Sequence, residues 1–177
     1  MDQDMEKSRR QFLGNAITDI SGYIRFIDTK VGIILAFVGA AATLLVRMKA
    51  DLQCILSSSG GGGALLGILL VTEFIAAFDI LCCSFAALTV RVGRIEGYDS
   101  KWFFPTPDGD FSEGFRKYAG KVSRMTEEDI TENLAAELYK LNDIYRKKLR
   151  YAGKTVYAFQ WFALASLFII VILMTEA

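Results

Sequence analysis

The segment Thr155–Thr175 (TVYAFQWFALASLFIIVILMT) decides the fold class of this chain. It holds 21 residues without a charge, and Lys154 and Glu176 bound it. At about 1.5 Å per residue, such a helix crosses a hydrocarbon core of about 30 Å. Tyr157 and Trp161 lie toward one end, as expected for aromatic side chains at the membrane–water interface. The segment therefore predicts a transmembrane helix over 155–175, in an all-α integral membrane protein of 177 residues.

A second uncharged block, Val31–Val46 (VGIILAFVGAAATLLV), precedes it in the chain. Its sixteen residues give a helix of about 24 Å, slightly shorter than the hydrocarbon core. Lys30 and Arg47 stand at its two ends, and their long side chains extend toward the headgroups and close that gap. The block predicts another transmembrane helix, over 31–47, which is the first span in chain order.

The third apolar block, 64–90, is long enough to span a membrane but contains Glu73 and Asp79. An ionisable residue at membrane depth costs about 2.5–3.5 kcal/mol on insertion scales, so each requires a physical explanation. Six residues apart on a helix, the two side chains point about 120° apart and do not form a carboxylate pair. If the span is mainly 75–90, Glu73 lies near the interface and only Asp79 is deep, facing a helix partner, a polar lumen or a lipid defect.

Lysine and arginine are distributed unevenly around these three predicted spans. Residues 1–30 hold five, residues 47–63 hold two, and residues 91–154 hold thirteen. Three spans place the first and the last of these segments on one side of the membrane, and the positive-inside rule makes that side the cytoplasm. The sequence therefore predicts a cytoplasmic N-terminal helix over 1–30, an external Gly/Ser loop over 48–63, and a cytoplasmic loop with helices over 91–154.

Both predicted cytoplasmic segments show helical periodicity. In the first, apolar residues recur every three or four positions, at Leu13, Ile17, Ile20, Ile24 and Ile27. The second begins a helix at Thr126, a typical N-cap residue followed by three acids. Its apolar stripe comprises Ile130, Leu134, Leu138, Leu141, Tyr145 and Leu149. No proline interrupts residues 108–177, so we predict one unbroken helix from about Glu127 into the last span, with the N-terminal helix as partner for its stripe.

A basic cluster, Arg146–Arg150 (RKKLR), lies shortly before the last span. Its position just outside the membrane suits anionic lipid headgroups. Small residues form another pattern in the first span, where Gly32, Ala36 and Ala40 recur every four positions, and Gly39 and Thr43 do the same. Such stripes let helices approach closely in lipid, so they predict helix packing within or between subunits.

The residue types present argue against an enzyme, a metal site or a nucleic-acid binder. The chain has no histidine, and 20 basic residues balance 20 acidic ones. Cys54, Cys82 and Cys83 form no C-x-x-C pair and are interpreted as small buried apolar residues. The SSSGGGG run over 57–63 lacks the Lys-Ser/Thr of a phosphate-binding loop and is interpreted as a flexible connector. We expect no catalytic residues, metal or cofactor.

The segment FIDTKVGIILAFVGA, with Asp28 and Lys30 before an apolar run, resembles the opening of the Pycsar effector membrane domain. The later order is similar too. An aromatic-proline turn (FFPTPDGDF) is followed by a helix with an acidic start (TEEDITENL), and then by a basic, tyrosine-containing run into the last span (IYRKKLRYAGKTVYAF). This resemblance covers most of the chain, and Asp28 and Lys30 are the positions that match it residue by residue.

The resemblance implies a role in bacterial defence against phage at the inner (plasma) membrane. A companion cyclase makes a cyclic pyrimidine nucleotide upon infection, and the membrane effector, expected to be a homo-oligomer, senses it and impairs the membrane. Ligand contacts are then expected among cytoplasmic basic and aromatic groups, and the candidates are Trp102, Phe104, Arg116 and Lys117.

Three other functions remain compatible with the residues. One is a SLATT-type sensor or pore, which also joins membrane helices to cytoplasmic helices. Another is a membrane anchor subunit for a cytoplasmic partner. The third is a small channel or transporter, for which Asp79 would be the functional residue.

Overall fold

The computed structural model of the chain describes residues 2–57, 61–90, 120 and 123–176. These residues contain four long or medium helices and no strand. The helices are α1 (Asp2–Arg47), α2 (Lys49–Ser57), α3 (Gly61–Leu88) and α4 (Glu127–Glu176). Of these, α1, α3 and α4 are long and apolar enough to cross a membrane. The predicted all-α class with three membrane-spanning helices is confirmed.

The chain divides into two compact units. The first unit comprises Met1–Ile24 and Arg91–Tyr145, and the second, here called the span unit, comprises Arg25–Val90 and Arg146–Ala177. Helices α1 and α4 contribute residues to both units, and α2 and α3 belong to the span unit alone. The N-terminal helix and the first span, predicted as separate segments, are therefore parts of one helix.

In the first unit, α1 and α4 run in the same direction. The Arg10 guanidinium lies 2.7 Å from the Glu127 carboxylate, and the rings of Tyr23 and Tyr145 lie 6.1 Å apart. The predicted apolar stripes of both helices are half-buried in this unit. The expectation that the N-terminal helix partners the second stripe is confirmed.

The start of α4 is closed by a reciprocal cap. The backbone N–H of Asp129 donates to the Thr126 hydroxyl at 3.1 Å, and the backbone N–H of Thr126 donates to the Asp129 carboxylate at 2.9 Å. Both N–H groups would lack a partner within the helix, so this exchange fixes where the helix begins. From there α4 runs unbroken to Glu176, as the absence of proline predicts.

The span unit is built around two apolar clusters. The first, called the α2 cluster, consists of Leu52, Ile55, Leu66, Ile169 and Leu173. The second, called the central cluster, consists of Val38, Ala76, Ile80 and Phe162. An early residue of α3 thus meets late residues of α4, and a later residue of α3 meets an earlier one of α4. Within the span unit α3 is therefore antiparallel to α4, as consecutive crossings of a membrane require.

The predicted external loop is more ordered than expected. Residues 49–57 form α2, and α3 begins at Gly61, three residues before the predicted start of the second span. Leu52 and Ile55, one helical turn apart, bury their side chains in the α2 cluster, and this burial stabilises a helix in a segment that was predicted to be part of the external loop. The flexible connector predicted over 57–63 is therefore corrected to helix at Ser57 and over 61–63, and residues 58–60 lie outside the described part.

The small-residue stripes of α1 face away from the other described helices. Gly32, Ala36, Ala40, Gly39 and Thr43 are all exposed, and a Cβ on either glycine would meet no atom within 4 Å. Val31 and Val38 occupy the buried face of the span instead. Of the two packing roles predicted, packing within the chain is therefore wrong for the described residues.

Candidate functional site

Glu73 is the most deeply buried carboxyl group among the described residues. It is 3% exposed, lies near the middle of α3, and accepts a hydrogen bond of 2.6 Å from the Ser166 hydroxyl. Its other oxygen, Oε2, is buried with no hydrogen-bond partner among the described residues. The α2 cluster lies on one side of this pair along the helices and the central cluster on the other. Glu73 and Ser166 thus form a polar layer between two apolar clusters, and only one of the two Glu73 oxygens has a hydrogen-bond partner among the described residues.

Ser84 repeats this pattern on the same helix face. It is 0% exposed, and its hydroxyl oxygen has no partner among the residues that the structure describes. Eleven residues from Glu73, it points only about 20° away from it around the helix axis. A buried polar atom without a hydrogen bond is destabilising by about 1–3 kcal/mol. The buried face of α3 therefore carries two groups whose hydrogen-bonding needs this arrangement does not meet.

Asp79 lies on a different side of α3 and is exposed. It lines an open groove together with Cys83 of the same helix and with residues of α4. The α4 residues are Arg150, Gly153, Lys154, Tyr157 and Ala158. Lys154 immediately precedes the uncharged run of the last span, so Asp79 lies near the end of the membrane crossing.

The predicted depths of the two acids are therefore reversed: Glu73 is central and Asp79 is near the interface. The reason is that α3 starts at Gly61, which moves the middle of the span toward Glu73.

Asp28, singled out by the resemblance, forms an ion pair across α1 and α4. Its Oδ1 accepts a hydrogen bond of 2.5 Å from Lys148 Nζ. The Lys148 side chain is 8% exposed and the Asp28 side chain is 35% exposed. A buried ammonium is tolerated only when an opposite charge compensates it, so Asp28 is what permits Lys148 to pack inside the bundle.

The prediction for Lys148, a surface cation facing lipid headgroups, is wrong. Leu149, expected to continue the apolar stripe, is 49% exposed, and Lys148 takes the buried position instead. Spacing carries a signal for this, because Lys148 follows Leu141 by seven residues and Tyr145 by three. The chemistry of lysine hid that signal, since an unpaired lysine at a buried position is unfavourable.

Lys30 and the four ligand-binding candidates are the remaining predicted positions. Lys30 is exposed, and its ammonium lies 4.3 Å from the centroid of the Phe26 ring, a cation–π contact beside the membrane crossing. The four ligand-binding candidates, Trp102, Phe104, Arg116 and Lys117, lie outside the described residues. Ser166 was not singled out from the sequence, because a serine in an apolar run gives no sign of which carboxyl group it meets.

Comparison with known proteins identifies the family of this chain. A family model described as the Pycsar effector protein domain matches residues 12–175, nearly the whole chain. No curated protein and no solved structure matches this chain significantly. The match covers the second and third candidate membrane-spanning helices whole, the first from residue 12 onward, and both residues of the Asp28–Lys148 ion pair. The chain therefore belongs to the Pycsar effector family and has the anti-phage effector role that membership supports.

Proposed function

We propose that the chain is a multi-pass inner-membrane effector that a cyclic pyrimidine nucleotide switches from a closed helical bundle to a membrane-impairing one. Family membership supports the defence role and implies a companion cyclase system. In this proposal the N-terminus and residues 91–154 face the cytoplasm, where most lysine and arginine residues of the chain lie.

The observation that carries the proposal is the polar content of the span unit's interior. Glu73 Oε2 and Ser84 Oγ are buried on one face of α3 without partners among the described residues. Both groups gain hydrogen bonds if the bundle rearranges and water reaches that face. These two groups thus favour a rearranged bundle. The apolar contacts of the α2 cluster and the central cluster, which rearrangement would break, oppose it. Such opposing contributions suit a protein with two accessible arrangements.

A ligand shifts such an equilibrium only by binding one arrangement better than the other. Helices α1 and α4 have residues in both units, so a nucleotide that reorients them in the first unit also acts on their spans. We propose Trp102, Phe104, Arg116 and Lys117 as ligand contacts, because aromatic rings stack on bases and cations pair with phosphate.

We further propose that the effector is a non-catalytic homo-oligomer. The exposed small-residue stripes of α1, containing Gly32 and Gly39, support contacts between copies, since small residues allow close helix approach in lipid. The damage to the membrane then follows from assembly and rearrangement rather than from chemistry on a substrate.

Dye release from liposomes tests the switch. The full chain is reconstituted with an entrapped self-quenching dye, and cyclic CMP or cyclic UMP is added, with the linear 5′-monophosphates as matched controls. We expect release with at least one cyclic nucleotide and none with the linear forms. Release that is indifferent to every nucleotide would overturn ligand gating. Arg116→Gln with Lys117→Gln should abolish the response, and Arg124→Gln, which changes an exposed cation seven residues further along the chain, should keep it.

A further inference from the structure

In the first unit, α1 has a largely exposed face with a regular spacing. Residues on this face recur at alternating intervals of four and three and are here called the α1 seam: Met5, Arg9, Phe12, Ala16, Asp19 and Tyr23. Ala16 is half-buried and the others are exposed, including the large apolar side chains of Met5 and Phe12. This spacing is typical of a helix that packs along its length against another helix in a coiled coil.

Helix α4 has a second face of the same kind in the same unit. Its residues recur at the same alternating intervals and are here called the α4 seam: Glu128, Glu132, Ala135, Tyr139 and Asn142. All five are exposed. The half-buried apolar stripe of α4, which includes Leu134 and Leu138, lies on another side of the helix. Each helix therefore has one face for its partner in the chain and another that is exposed.

Contacts within the unit fix how the two seams are aligned. Arg10 pairs with Glu127 and the Tyr23 ring lies beside the Tyr145 ring, so a residue of α1 lies level with the residue about 120 positions later on α4. The seams therefore match level by level, in the pairs Arg9 and Glu128, Phe12 and Glu132, Ala16 and Ala135, Asp19 and Tyr139, and Tyr23 and Asn142. Copies that share one orientation in a membrane bring the same levels together.

Charge decides which seams can meet between two copies. Two α1 seams side by side would oppose Arg9 to Arg9 and Asp19 to Asp19. Two α4 seams would oppose Glu128 to Glu128 and Glu132 to Glu132, and both arrangements are repulsive. An α1 seam beside an α4 seam instead brings Arg9 to Glu128. It also brings Asp19 to Tyr139, whose hydroxyl can donate a hydrogen bond to a carboxylate. Unlike seams are therefore complementary, and like seams are not.

We propose that the α1 seam of one copy packs against the α4 seam of a second copy. This contact rests on the homo-oligomer of the proposed function and identifies a surface that holds it together. Because the contact joins unlike surfaces, a dimer leaves one α1 seam and one α4 seam uncovered. Further copies add until the last α4 seam meets the first α1 seam, and the assembly is a ring about the membrane normal.

Disulfide cross-linking of the full chain in liposomes tests the contact. The three native cysteines are replaced by serine, and two differently tagged copies carry Ala16→Cys and Ala135→Cys, which change small residues at one level. We expect oxidation to join the two copies, with and without cyclic CMP or cyclic UMP. Thr18→Cys is the matched control, because Thr18 is exposed but points about 160° away from Ala16. It should not cross-link to Ala135→Cys.

Charge reversal tests the same contact without cysteines, by mass photometry of the full chain in detergent. Arg9→Glu and Glu128→Arg each replace an attractive pair by a repulsive one, so each should weaken assembly on the order of tenfold. Both substitutions in one chain should restore it. Lys7→Glu makes the same charge change at an exposed position outside the α1 seam and should assemble as the wild type does. Circular dichroism shows whether each variant keeps its helices.

Three results would overturn the proposal. They are cross-linking of Ala16→Cys copies to one another instead of to Ala135→Cys, assembly of Arg9→Glu equal to that of the wild type, and failure of the double charge reversal to restore assembly in a folded chain. A monomer under every condition would overturn the homo-oligomer as well. An oligomer without the expected cross-link would remove this contact alone, and dye release tests nucleotide gating separately.

Discussion

Glu73 and Asp79 are two acids on one helix, and the same chain places them in opposite environments. Glu73 is buried between apolar clusters with a single hydrogen bond from Ser166, whereas Asp79 is exposed in a groove beside two cations. Sequence patterns gave them equal weight and reversed their depths. The difference shows that in a membrane helix the rotation about the axis and the register against neighbours decide what an ionisable residue does. This comparison also weakens a channel built on Asp79, since the buried polar face of α3 carries Glu73 instead.

The largest expected effect separates the two acids directly. Glu73→Leu removes a central acid from the span, so we expect the free energy of unfolding in detergent to rise by about 2–3 kcal/mol. Nucleotide-triggered dye release should fall, because the rearranged bundle loses a group that favours it. Asp79→Leu is the matched control and should change stability by less than about 1 kcal/mol, since Asp79 is already exposed near the interface. Equal stability changes at both positions would refute the contrast.

The Asp28–Lys148 pair differs from Glu73 because its buried charge, the Lys148 ammonium, has a partner of opposite charge. Asp28→Ala leaves the Lys148 ammonium buried without compensation, and we expect a loss of about 2–3 kcal/mol in the free energy of unfolding. That is less than for a fully buried pair, because Asp28 is 35% exposed. Adding Lys148→Met to Asp28→Ala should restore most of the stability, measured by chemical denaturation in detergent. A double variant as unstable as the single one would contradict the ion-pair interpretation.

Two Ser→Ala substitutions sharpen the comparison within the buried face. Ser166→Ala takes the hydrogen-bond donor from Glu73, so we expect a destabilisation of about 1–2 kcal/mol. Ser84→Ala removes a buried hydroxyl that has no partner among the described residues, so it should leave stability unchanged or raise it. Thermal unfolding of the two variants in the same detergent distinguishes them. The comparison fails if both substitutions shift the transition by the same amount and in the same direction.

The smallest effect concerns an exposed ion pair in the first unit. The hydrogen bond and charge of Arg10 lower the pKa of the Glu127 carboxyl below its ordinary value of about 4.5. Because the folded-state pKa is depressed, this stabilisation is present above pH 4.5 and is lost as the pH falls through the lower folded value. In Arg10→Gln the Glu127 midpoint, followed by carbon-detected NMR, should return toward 4.5. An unchanged midpoint would show that Arg10 is not the cause.

Part of the candidate site was accessible from the sequence. The resemblance singled out Asp28, and the charge scan identified Glu73 and Asp79 as groups that need an explanation. Their partners, Lys148 and Ser166, were not accessible, because they lie 120 and 93 residues away along the chain. Nothing in the local pattern of α4 states which of its residues meets α1 or α3.

Local residue patterns were sufficient to predict the three helices that can cross a membrane, the cap at Thr126 and the unbroken course of α4. Each of these depends on neighbouring residues alone: about twenty apolar side chains for a span, and four consecutive positions for a cap. Packing between helices was needed to learn that Glu73 is central, that Lys148 is buried, and that residues 49–57 form a helix. The physical reason is that partition into lipid follows composition, which is additive along the chain. The surroundings of a single charged group follow helix rotation, which changes by about 100° with every residue and is fixed by packing against other helices.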